Sequence, residues 1–155
     1  MPGSWEPFGP TRRMDPPAPD TAAAEPAAAE AALAPASRPP QRPQPRQRLA
    51  IVTCMDARID PLAILGLSLG DANVIRNAGA TVSDDVLRSL GAAVERLGVV
   101  RAVLIGHTDC AGHDSDSAAA ASLADGTRRV RGAMPEGFGV DAFMYDVVTG
   151  TLNPL

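Results

Sequence analysis

The chain has 155 residues and a formal net charge of −4, and its fourteen basic residues are all arginine, scattered rather than gathered on one element, which excludes the clustered positive field of a nucleic-acid-binding protein. No run approaches the roughly 18 consecutive apolar residues that span a bilayer, so no membrane-spanning helix is expected. Composition divides the chain at Arg48: twelve of the fifteen prolines lie before it, with six arginines against five acidic residues there and eight against thirteen in the remainder.

Residues 1–48 form a Pro-, Ala- and Arg-rich tail with too few large apolar side chains to offset the entropy of ordering, and are expected to be disordered. Arg12-Arg13 is followed by Met-Asp-Pro-Pro rather than by an apolar core, so no secretion signal is read and the expectation is a cytoplasmic protein with reduced thiols. Residues 49–155 carry the apolar runs. A domain of that size buries a core, though not a generous one, and would gain from a partner subunit.

Leu49-Ala50-Ile51-Val52-Thr53 reads as a buried strand that delivers Cys54-Met55-Asp56-Ala57-Arg58 just past its C-terminal end, where open α/β sheets place their chemistry. If the backbone stays extended, alternation sends Cys54, Asp56 and Arg58 to one side. Pro61 opens a short helix running to Leu67, with Asp60 as its cap. Ala72–Ile75 is a second strand, and Arg76–Ala80 a loop leaving its C-terminal end. From Ser83 to Leu97, the apolar residues Val86, Leu87, Leu90, Ala93, Val94 and Leu97 recur at helical spacing, with Ser83 as cap and Gly98 as stop. Val99–Gly106 is a third strand, near-continuously apolar, which brings His107-Thr108-Asp109-Cys110 to the same edge as Cys54. Strands alternating with helices imply right-handed crossovers, hence an α/β fold with a small, mostly parallel β-sheet flanked by helices. Within residues 111–139 a short helix is expected over Ala118–Ala124, with Gly126, Gly132, Pro135, Gly137 and Gly139 breaking up the rest. Val140–Val148 alternates as a last strand, and Thr149-Gly150-Thr151 turns the chain.

Two thiols and one imidazole on the ends of two such strands form a Cys/His/Cys set suited to zinc. Asp56 is close enough in sequence to compete for a fourth position, and Arg58 could hold it off through a bidentate ion pair. Each residue also has a plainer reading. Cys54 and Cys110 could be small buried residues or a disulfide, Asp56 and Arg58 a surface ion pair, and His107 a core histidine. His113 reads as an exposed loop residue, with proton shuttling as its functional alternative. Asp109 reads as orienting its loop, and Arg76 and Asn77 either position a loop or line a pocket.

Cys54-x-Asp56-x-Arg58, followed about fifty residues later by His107-x-x-Cys110 and with Val74-Ile-Arg-Asn-Ala-Gly79 between, resembles the β-class carbonic anhydrases. The likeness runs from Leu49 to Cys110, with a weaker echo from Phe143 to Asn153. It implies one Zn2+ per chain held by Cys54, His107 and Cys110, with Asp56 as a fourth ligand in a closed state and as the catalytic partner of Arg58 in an open one. It further implies reversible hydration of carbon dioxide to bicarbonate and a proton, by a homodimer or larger homo-oligomer. The alternatives are a hydrolase of carbon disulfide or carbonyl sulfide using the same site, and a shortened, non-catalytic zinc-binding paralogue. Three departures from the family pattern stand out. Ala111 follows the second cysteine where glycine is usual, with Gly112 next, so a backbone approach near the metal is expected to differ. Residues 111–139 are also too few for the family's longer helical segment, and the tail does not supply an N-terminal helix to embrace a second subunit.

Overall fold

The computed structural model describes residues 42–155. The disorder expected of the tail falls mainly on residues outside that range. Residues 42–48, which composition assigns to the tail, are instead tied to the domain. Arg46 donates its N–H to the Gly70 carbonyl at 2.9 Å and its Nε to Asp71 Oδ1 at 2.8 Å, while Arg48 Nε donates to the Gly98 carbonyl at 2.9 Å. Charge-assisted hydrogen bonds hold this segment where apolar burial is scarce.

The elements are β1 (Leu49–Cys54), α1 (Pro61–Ile64), β2 (Ala72–Asn77), α2 (Asp84–Leu97), β3 (Arg101–His107), α3 (Asp116–Ala133), β4 (Gly139–Tyr145) and β5 (Leu152–Pro154). They build one sheet in the order β2-β1-β3-β4-β5, parallel throughout except for β5, which runs antiparallel to β4. This is the α/β architecture, a mostly parallel sheet flanked by helices, that the alternation of elements predicts.

Every residue of β1 is buried, and every residue of β3 after Arg101, because both faces of these central strands are covered. On one face Ala50, Val52, Ala102 and Leu104 pack against Val86, Leu90 and Ala93 of α2 and Leu123 and Val130 of α3. On the other face Ile51, Val103 and Ile105 meet Leu62, Leu65, Leu67, Phe143 and Tyr145. The register sets Thr53 beside Ile105, so the chain leaves β1 at Cys54 and β3 at His107 on one edge of the sheet.

Helix ends follow local chemistry. Asp60 accepts the N–H groups of Leu62 and Ala63 ahead of Pro61, and Ser83 Oγ accepts that of Val86. Gly98, at φ 71°, closes α2 in the left-handed conformation. Helix α1 ends at Ile64, short of the expected Leu67, since Gly66 turns the chain at φ 65°.

The largest departure lies after Cys110. In place of a short helix over Ala118–Ala124 there is an 18-residue helix, α3, that runs through both Gly126 and Gly132. Ser115 caps it by accepting the Ala118 N–H. Gly126 serves packing here rather than breaking the helix: a Cβ added to it would stand 2.6 Å from Val82 Cγ2, so its bareness lets α3 close on the segment that leads into α2. The segment after Cys110 thus supplies a full helical layer. The last expected strand stops at Tyr145 rather than Val148, because Asp146 opens a turn by accepting the N–H groups of Val148 and Thr149. That turn returns the chain as β5. No helix among the described residues is long and apolar enough to cross a membrane.

The two glycines within α3 should answer substitution with opposite signs. Gly126→Ala is expected to destabilise the fold by about 1–3 kcal/mol through overpacking against Val82. Gly132→Ala, with nothing within 4 Å of the added Cβ, should stabilise it by roughly 0.5 kcal/mol. Urea unfolding of both variants checks this, and equal effects would contradict the packing assigned to Gly126.

Candidate metal centre

At the C-terminal edge of the central strands, Cys54 Sγ, a His107 ring nitrogen and Cys110 Sγ all lie within 4.8 Å of one another. The sulfurs are 3.8 Å apart and both cysteines are free, so they form no disulfide, whose sulfurs would sit about 2.05 Å apart. His107 is 1% exposed. Its Nδ1 lies 2.8 Å from the Thr108 carbonyl, an acceptor, so Nδ1 carries the proton and Nε2 presents a lone pair. That Nε2 is buried and has no hydrogen-bond partner. An unpaired polar atom in such a place costs about 1–3 kcal/mol unless something else meets it. Two sulfurs and an imidazole nitrogen are the donor set of zinc, and the residues present fit that ion.

Each sulfur is met by a backbone amide. Gly79 N–H points at Cys54 Sγ at 3.4 Å, and Gly112 N–H at Cys110 Sγ. Burial pushes the Cys110 thiol up to about 11, the Gly112 amide opposing and the neighbouring Cys54 adding to the rise. Cys110 therefore keeps its proton unless a cation takes its place. The close backbone approach expected of a glycine beside the second cysteine is made by Gly112 rather than at Ala111: a Cβ on Gly112 would stand 2.8 Å from the Gly79 nitrogen.

The loop after β1 does not stay extended. Ile59 N–H donates to the Asp56 carbonyl at 3.1 Å and folds it, and Asp56 faces Arg58 directly. Arg58 donates Nε to Asp56 Oδ1 at 3.0 Å, Nη2 to Oδ2 at 2.8 Å, and its backbone N–H to Oδ1 at 2.9 Å. These hydrogen bonds, led by the side-chain pair, hold the Asp56 carboxyl down to about 2 against the opposing effect of burial. On its far side Arg58 grips Asp109, donating Nη1 to Oδ2 and Nη2 to the carbonyl, both at 3.0 Å. Asp56 Oδ2 lies 3.8 Å from His107 Nε2, yet Asp56 stands outside the trio of donor atoms.

Arg76 positions this loop, donating Nε to the Cys54 carbonyl at 2.9 Å and Nη2 to the carbonyls of Asp56 and Ile59 at 2.8 and 2.9 Å. Asn77 pins its own turn through two hydrogen bonds with the backbone of Thr81. Both residues thus follow the loop-positioning reading. Asp109 does so as well, at φ 51° with its N–H on Asp116 Oδ1. His113 is not an exposed loop residue: it is half-buried, with Nε2 2.9 Å from the Gly79 carbonyl. What the motifs alone do not reveal is the part played by Gly79 and Gly112: Gly112 stands two residues past Cys110, but Gly79 lies 25 residues beyond Cys54, in the loop after β2.

A family model described as carbonic anhydrase matches residues 49–151. The chain belongs to the β-carbonic anhydrase family. β-Carbonic anhydrase 1 of Mycobacterium tuberculosis is 52% identical over 66 residues, 43% of this chain and 40% of that protein. The carbon disulfide hydrolase of Saccharolobus solfataricus is 42% identical over 64 residues, 41% of this chain and 31% of its own length. These alignments span less than half the length of either curated relative. Among solved structures, a carbonic anhydrase from Streptococcus mutans superposes with a TM-score of 0.67 at 31% identity, covering 82% of this chain and 91% of that one.

Because pairing lowers the folded pKa of Asp56, the stability it contributes is complete above the ordinary carboxylate value of 3.8 and is lost as pH falls through about 2. Arg58→Gln should return the Asp56 carboxyl toward 3.8, as read by NMR titration of its side-chain carbon. A value still near 2 would show that Arg58 is not the cause.

Proposed function

We propose that the chain catalyses the reversible hydration of carbon dioxide to bicarbonate and a proton, with zinc held by Cys54, His107 and Cys110. The observation that carries this reading is the partnerless, buried Nε2 of His107 facing two thiols, beside a carboxylate locked by an arginine. Zinc, when bound, supplies a Lewis acid that lowers the pKa of water toward neutrality.

The chain's own residues supply the rest. The Gly79 amide donates to Cys54 Sγ, the Gly112 amide favours the thiolate form of Cys110, and the Thr108 carbonyl fixes the tautomer of His107. Asp56, an acceptor only, takes a hydrogen bond from water and aims its oxygen at the carbon of carbon dioxide. With its carboxyl held to about 2, Asp56 stays ionised near neutrality, so the released proton passes on to solvent instead of remaining there. Arg58 keeps Asp56 turned toward water and away from the metal position, and Asp109 steadies Arg58 from the other side. If Arg58 let go, Asp56 would become the fourth ligand and close the site.

A second reading keeps the site and changes the substrate to carbon disulfide, favoured by the likeness of the same segment to a carbon disulfide hydrolase. Turnover of the two substrates by one preparation separates these readings. Against the non-catalytic alternative stand the paired Asp56 and Arg58, which a purely structural site does not need, and helix α3 over Asp116–Ala133 in the segment after Cys110. Half-buried Phe143, Tyr145 and Leu152 on the sheet face opposite α2 and α3 fit a homodimer or larger assembly, and two free thiols fit a reducing cytoplasm.

Zinc analysis, stopped-flow hydration across neutral pH and light scattering on one purified sample should give about one zinc per chain, activity rising with pH, and a mass above that of the monomer. Asp56→Ala is expected to keep its zinc and lose about a hundredfold in rate. Zinc with no hydration at any pH, or a mutant as fast as wild type, would overturn the proposed reaction.

A further inference from the structure

The Cys110 loop reaches back onto the turn that faces Cys54, and His113 is the side chain that joins them. Its Nε2 lies 2.9 Å from the carbonyl of Gly79. A carbonyl only accepts, so Nε2 donates. Gly79 stands at φ 73° and carries the N–H that meets Cys54 Sγ at 3.4 Å. Glycine is the most freely rotating residue, and here it is pinned at both ends, N–H on the sulfur and C=O on the imidazole. The fit is close: a Cβ on Gly79 would stand 2.5 Å from His113 Nε2. The backbone N–H of His113 donates to the Cys110 carbonyl at 3.2 Å, closing the turn from which Gly112 offers its amide to Cys110 Sγ. His113 therefore joins the Cys110 loop to the residue whose amide meets Cys54 Sγ.

We propose that His113 is a positioning residue for the metal centre, which through the Gly79 carbonyl holds the Gly79 amide on Cys54 Sγ and so sets how firmly that sulfur keeps a metal ion. The inference rests on the metal-holding role proposed for Cys54, His107 and Cys110. An N–H donor to a thiolate stabilises its negative charge and limits its exchange with solvent protons, and loss of such outer contacts typically costs 10–100-fold in metal affinity. Gln is the informative replacement, because its side-chain amide can donate to the same carbonyl, whereas Ala cannot.

The test compares wild type, His113→Ala and His113→Gln. Zinc release is timed against excess chelator, and the thiolate-to-metal charge-transfer band is recorded after replacement of zinc by cobalt(II). His113→Ala should release zinc about tenfold faster or more and shift the band, while His113→Gln restores both toward wild type. Wild-type release and an unshifted band in His113→Ala would overturn the proposal. So would equal defects in the two variants, since the ring's bulk and not its hydrogen bond would then matter. A wild-type protein that holds neither metal would instead sink the metal-site reading itself, and this inference with it.

Discussion

Burial of an unpaired imidazole nitrogen between two thiols is the constraint on which the rest of the site depends. Left bare, His107 Nε2 has no hydrogen bond to offset its removal from water, and the two sulfurs beside it offer only weak ones. The fold nevertheless holds them together from independent directions. The paired central strands β1 and β3 bring Cys54 and His107 to one sheet edge, the Thr108 carbonyl fixes the imidazole, and the Gly79 and Gly112 amides face the sulfurs. So many groups aimed at one point make sense when a cation occupies it.

Around this centre, arginine chemistry does what apolar packing cannot do in a loop. Arg76 satisfies three carbonyls of the segment from Cys54 to Ile59, and Arg58 spans Asp56 and Asp109. Planar guanidinium donors in a fixed fork suit both tasks, and a lysine would match neither. The carboxylate that results is oriented and ionised near neutrality, as a hydrogen-bond acceptor for water must be.

Much of this was legible in the sequence because it depends on local pattern. The apolar runs of β1 and β3, the Ser83 cap with its helical spacing, and the Cys-x-Asp-x-Arg and His-x-x-Cys spacings each express chemistry within a few residues. Helix α3 was hidden because Gly126 looks like a breaker in sequence and is a contact point in space, a distinction made by Val82 some forty residues away. Strand β5 was hidden because it is three residues long, includes Pro154, and exists only as a partner to β4. The bridge from His113 to Gly79 crosses 34 positions, and no local pattern announces it.

The central claim is that zinc sits on Cys54, His107 and Cys110, and X-ray absorption at the zinc edge of the purified protein tests it most directly. Two sulfur neighbours at about 2.3 Å, with nitrogen at about 2.0–2.1 Å, are the result this account predicts. A shell of oxygen and nitrogen without sulfur would contradict it.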